Sequence, residues 1–135
     1  MPQETRVFFE KYRDAFNALD GDAVAALYAE PSGIAQDAVY THWSSRRNIS
    51  DNMRALCQLY QDKGFVATEF EPSGFIEQGE HHAVADVRWR ITWNSGQEPW
   101  QFNTTYNLVR TVQGWQVLLC TAYSEAALHR TASAA

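Results

Sequence analysis

HAVADVRWRITWNSGQEPWQFNTTYNLVRTVQGWQVLLCTAY, residues 82–123, decides the fold. Apolar and polar side chains alternate through its first run: Ala83, Ala85, Val87, Trp89, Ile91 and Trp93 fall on one face of an extended chain, and Asp86, Arg88, Arg90 and Thr92 on the other. The same alternation turns Trp100, Phe102, Thr104, Tyr106 and Leu108 inward and Gln101, Asn103, Thr105 and Asn107 outward. Ser95-Gly96 and Gln113-Gly114 separate the runs, so the pattern predicts strands over His82–Asn94, Pro99–Thr111 and Trp115–Ser124, joined as antiparallel hairpins. Upstream, a fourth run from Phe65 to Gln78 ends at Gly79-Glu80, and Pro72, Ser73 and Gly74 inside it mark a bulge. One sheet face is therefore a broad aromatic surface that needs a cover.

The N-terminal half supplies that cover. Phe8, Tyr12, Ala15, Phe16 and Leu19 recur at spacings of three and four, which predicts a helix from about Gln3 to Leu19. Asp20 and Gly21 break it, Asp20 as the cap of a short second helix marked by Val24, Leu27 and Tyr28 and ended by Pro31. Gly33, Ile34, Val39, Tyr40 and Trp43 read as two short strands around Gln36 and Asp37. Ser44 or Ser45 caps a third helix carrying Ile49, Met53, Leu56, Cys57 and Tyr60 on one face, and Gly64 stops it. Helices first and strands afterwards give one α+β domain: three N-terminal helices packed on a strongly curved antiparallel sheet over residues 1–125, with 126–135 a flexible tail.

A chain of 135 residues can bury one core without metals or disulfides. The formal net charge is -5 and the basic residues are scattered apart from Arg46 and Arg47, which argues against nucleic acid. No stretch has the length of a membrane span. Cys57 and Cys120 stand alone, with no metal-ligand spacing, and read as small buried hydrophobes. His81 and His82 read as solvated, and Glu69 and Glu71 as a charged sheet edge. No phosphate-binding loop or nucleophile elbow occurs, so no cofactor and no metal is expected. The opening MPQETRVFFEKY lacks the apolar run of a secretory signal, and the expectation is a cytoplasmic protein with reduced thiols.

The last strand is apolar on both faces, with Trp115, Val117, Leu119, Thr121 and Tyr123 on one and Leu118, Cys120 and Ala122 on the other. A strand hidden on both sides needs a second cover. A homodimer through the outer sheet face provides one, with Arg88, Arg90, Asn103, Thr105 and Asn107 giving polar contacts.

The element order, together with FFEKYRDAFNALDGDAVAALYAEP (8–31), YNLVRTVQGWQVLL (106–119) and TAYSE (121–125), resembles the NTF2-like superfamily. The resemblance implies a cone-shaped, cystatin-like roll over an internal cavity. It implies no single function, because members include isomerases, dehydratases, epoxide hydrolases, polyketide cyclases and transport adaptors. Among the enzymes, the chain is most similar to ketosteroid isomerases. Tyr12 falls where those carry an oxyanion-hole tyrosine, and Tyr106 where they carry a protonated aspartate. Their catalytic base falls at Gln36 or Asp37, and Ala38 stands where they usually have proline, so a faithful steroid isomerase is not expected.

On this reading the cone encloses a compact apolar or aromatic ligand with one carbonyl or hydroxyl, held by Phe16, Tyr28, Trp43, Trp89, Trp93, Leu119 and Tyr123. The alternative is a cofactor-free isomerase, dehydratase or cyclase in which Tyr12 and Tyr106 hold an oxyanion and Asp37, among the rings, or His42, near the mouth, moves the proton. A protein-interaction module, with a filled cone and an outer groove, is the third reading.

Overall fold

The computed structural model describes residues 1–123. The tail expected over 126–135 lies outside them. α1 (Gln3–Asn17) starts after Pro2 and turns Phe8, Phe9, Tyr12, Ala15 and Phe16 into the core. Each such aromatic contributes roughly 2 kcal/mol by leaving water. Asp20 caps α2 (Gly21–Ala25) by accepting the Ala23 backbone N–H at 3.0 Å. Ser45 caps α3 (Arg46–Asp62) by accepting that of Asn48 at 3.2 Å, and Gly64, at φ 86, follows the helix end in the left-handed conformation that suits glycine.

The strands are β1 (Tyr28–Gln36), β2 (Val39–Trp43), β3 (Phe65–Gln78), β4 (His82–Trp93), β5 (Trp100–Thr111) and β6 (Gly114–Tyr123). They form one sheet in the order β2-β1-β6-β5-β4-β3. All neighbours pair antiparallel except β1 and β6, which run parallel, so the sheet is mixed rather than wholly antiparallel. This pairing also explains why the second helix is shorter than its sequence pattern. The Val117 N–H donates to the Leu27 carbonyl at 2.9 Å and Tyr28 lies opposite Val117, so the chain is already extended where Leu27 and Tyr28 look helical. Pro31, read as a helix stop, sits inside β1, where the register with β6 shifts between Tyr28 and Gly33.

β4 buries every residue expected to face inward, Ala83 through Trp93. The register shifts at three further places: between Phe65 and Ala67, between Pro72 and Gly74, where the sequence marks a bulge, and in β6, where Leu108 faces Val117 but Asn107 faces Leu119. The extra residue, Leu118, inverts the inside-outside phase at Leu119 and Cys120. Trp115 and Val117 are buried, and beyond the bulge Cys120 is the buried one. Asp37 and Ala38 form the two-residue turn between β1 and β2, both at positive φ, 52 and 66. A tight hairpin turn of this hand requires that backbone, and aspartate tolerates it better than most residues.

α2 lies backbone to backbone on α3. A Cβ on Gly21 would sit 2.6 Å from the Arg54 nitrogen and 2.8 Å from the Met53 carbonyl carbon. Neither neighbour is a flexible side chain that could swing away. Gly21→Ala is expected to lower stability by about 2 kcal/mol, read as a lower urea midpoint at unchanged slope.

Candidate functional site

Between the helices and the inner sheet face lies a cavity of ≈ 760 Å³. Its floor is buried: Tyr12 comes from α1, Tyr28 from β1, Trp89 from β4, Tyr106 from β5 and Cys120 from β6. Met53, Leu56 and Tyr60 of α3 form one wall, and Ile91, Phe102, Thr104 and Ala122 of the sheet form the opposite one. The mouth is exposed and polar, carrying Gln36 and Asp37 from the β1–β2 turn, Asn52 from α3, and Gln97, Glu98 and Gln101 around the β4–β5 connection.

The floor is a hydrogen-bonded cluster. The Trp89 indole Nε1–H donates to the Tyr106 hydroxyl at 2.9 Å, the Tyr12 and Tyr28 hydroxyls lie 2.6 Å apart, and the Tyr28 hydroxyl is 3.5 Å from Cys120 Sγ. Indole nitrogen can only donate, so Tyr106 accepts there, and its own hydroxyl also interacts with that of Tyr12. The Tyr12 ring meets Tyr106 edge-on at 5.4 Å and Trp89 at 5.5 Å. Burial, then the negative potential of neighbouring phenols and of the Cys120 thiol, pushes Tyr12, Tyr28 and Tyr106 well above the ordinary tyrosine value. Burial also lifts Cys120 to about 11. At neutral pH the floor thus presents neutral hydroxyls beneath apolar walls, groups that can hydrogen-bond to a carbonyl or hydroxyl oxygen.

The chain matches the family described as NTF2-like protein (DUF6841) over residues 3–125. It belongs to this NTF2-like family. No curated protein matches it. Among solved structures it is similar to a domain of unknown function with a cystatin-like fold from Nostoc punctiforme, with TM-score 0.75, 21% identity, and 94% of this chain and 78% of that one covered. It is also similar to a ketosteroid isomerase-like protein from Erwinia carotovora atroseptica, with TM-score 0.65, 15% identity, and coverage of 87% and 90%. A third is a putative calcium/calmodulin-dependent protein kinase type II association domain from Thiobacillus denitrificans, with TM-score 0.71, 18% identity, and coverage of 87% and 91%. At these identities the likeness is one of fold.

Of the residues singled out in the sequence of this NTF2-like chain, Tyr12, Phe16, Tyr28, Asp37, Trp89, Tyr106 and Tyr123 line the cavity. Tyr123 does so while its hydroxyl donates to Asp86 at 3.0 Å. Asp37 is exposed on its turn, not enclosed among rings. His42 is absent from the lining; it is exposed on β2 with Nδ1 3.0 Å from the Tyr40 hydroxyl. Trp43 stands behind the floor, its ring edge-on to Tyr28 at 5.7 Å. Trp93 stands behind the wall, packed on Tyr60 and Trp100. Leu119 is turned away by the β6 bulge, and Cys120 and Ala122 take its place. The wall from α3 was visible as a helix face, but not as a cavity lining. Among the described residues no group of His, Cys, Asp or Glu is placed to hold a metal ion, and no helix is long and apolar enough to cross a membrane.

The raised values set a pH dependence. Folding holds protons on Cys120 and the three phenols, so their contribution is complete below the ordinary values of 9.0 and 10.0 and is lost as pH climbs through the folded ones. Urea midpoints should fall steeply above about pH 9, with Cys120 alone accounting for roughly 2–3 kcal/mol. In an alkaline absorbance titration, the phenolate signals of Tyr12, Tyr28 and Tyr106 should appear only with unfolding.

Proposed function

We propose that this domain binds a compact apolar or aromatic small molecule through one carbonyl or hydroxyl oxygen. The observation that carries the reading is the contrast between the two ends of the cavity. The floor offers phenolic donors that stay protonated, whereas the carboxylates lining the cavity, Asp37 and Glu98, stand at the exposed mouth. A volume of ≈ 760 Å³ suits a ligand of this class. The same observation favours binding over proton transfer, because neither His42 nor an enclosed carboxylate accompanies the donors. The likeness to the ketosteroid isomerase-like protein from Erwinia is consistent with a pocket that receives a carbonyl compound.

The reading includes a homodimer through the outer sheet face. Arg88 and Arg90 are exposed there, and among the described residues neither has a salt bridge. Asp86 is occupied instead by the hydroxyls of Ser73, Thr105 and Tyr123.

The test compares 2-acetylnaphthalene with 2-ethylnaphthalene, which differ only in the carbonyl oxygen, by quenching of tryptophan fluorescence. The ketone should bind about fivefold more tightly, and Tyr106→Phe should erase that difference while the hydrocarbon still binds. Equal affinities for the two in the natural protein would falsify the donor floor. Native mass spectrometry of the same sample should report a dimer; a monomer at micromolar concentration would remove the outer-face interface.

A further inference from the structure

The charge of the cavity lining is one-sided. Asp37 and Glu98 are its ionisable carboxylates, and no lysine, arginine or histidine is among the lining residues. Aromatic rings make up much of the rest of the lining, among them Trp100, Phe102, Tyr60 and Trp89. Aromatic faces attract cations, more strongly where water is excluded. The Lys63 ammonium, itself not part of the lining, already makes such a contact, 4.5 Å above the Trp100 ring. The chain's net charge of -5 adds a field of the same sign. An anionic ligand would have to bring its charge past two carboxylates and bury it against electron-rich rings, with no cationic side chain among the lining residues.

Given the binding function proposed above, we infer that the cavity selects cationic amphiphiles: molecules whose neutral oxygen meets the phenol floor and whose amine or quaternary ammonium end stays at the Asp37 and Glu98 mouth. The same lining rejects carboxylates. The fold does not dictate this preference, since the mouth is built largely from a turn and a loop. Specificity of this kind rests as much on the repulsive element as on the attractive one.

Three 2-acetylnaphthalenes that differ only at position 6, carrying a methyl, a trimethylammoniomethyl group or a carboxylate, test it by titration calorimetry at low ionic strength. The cation should bind at least as tightly as the methyl compound, and the carboxylate about tenfold more weakly than either. In the double variant D37N/E98Q the ratio between cation and anion should shrink toward one, with its melting curve recorded to establish that it is folded. Independently of any variant, 1 M sodium chloride should shrink the same ratio in the natural protein, because the mouth is exposed to screening. A carboxylate that binds as well as the methyl compound overturns the inference, and so does a charge order that survives in high salt. Failure of the methyl compound itself to bind would instead bring down the proposed function, so the two failures are distinguishable.

Discussion

Three phenols enclosed together must satisfy one another. A buried hydroxyl without a partner costs roughly 1–3 kcal/mol, and here Tyr12, Tyr28 and Tyr106 are all at most 5% exposed. Tyr28 answers Tyr12, Trp89 answers Tyr106, and Cys120 lies within reach of Tyr28. These side chains come from one helix and four strands. Hydrogen bonds that tolerate only a few tenths of an ångström therefore tie α1, β1, β4, β5 and β6 to a common point, and the cavity above it inherits its shape from that agreement. Ring packing reinforces the register: Phe9 contacts Phe70 and Tyr106, and Tyr12 contacts Trp89, so sliding α1 along the sheet would break both kinds of contact.

Most of this was legible from periodicity. The face of α1 and the alternation of β4 and β5 place Tyr12, Trp89 and Tyr106 inward with no knowledge of how the elements meet. What periodicity misses is whatever depends on a partner strand. Leu119 looks inward because it shares the phase of Trp115 and Val117, and only the pairing of Asn107 with Leu119 and Leu108 with Val117 reveals the extra residue that reverses it. Leu27 and Tyr28 look helical because the strand they join, β6, is some ninety residues away. Trp43 and Trp93 read as ligand-lining residues and are buried, yet burial alone does not separate a residue that lines a cavity from one that backs its wall. Residues 97 and 98, between the two predicted strands, carry no periodic pattern at all.

The two ends of the cavity obey different rules. Every residue of the floor is fixed by core packing, where a change of one methylene is felt by its neighbours. The mouth rests on a two-residue turn and a loop, in which the backbone conformation matters more than the side chain. Asp37 has an adequate structural reason to be aspartate, since its φ of 52 suits that residue. A turn residue can nevertheless present its carboxylate to a ligand at no structural expense. Such an arrangement lets the rim change in chemistry while the floor stays as it is.

The parallel contact of β1 with β6 bears on how the chain acquires its shape during synthesis. β3 to β6 are successive hairpins that can form soon after each emerges, because their partners are adjacent in sequence. β1 has no sheet neighbour beyond the short β2 until residues 114–123 are available. An N-terminal segment with exposed Tyr28 and a half-paired strand edge must wait until β6 has left the ribosome. Closure of the sheet, and with it completion of the cavity floor, consequently waits for β6: a nascent chain stalled before residue 114 carries three helices and most of the sheet but has no pocket to offer.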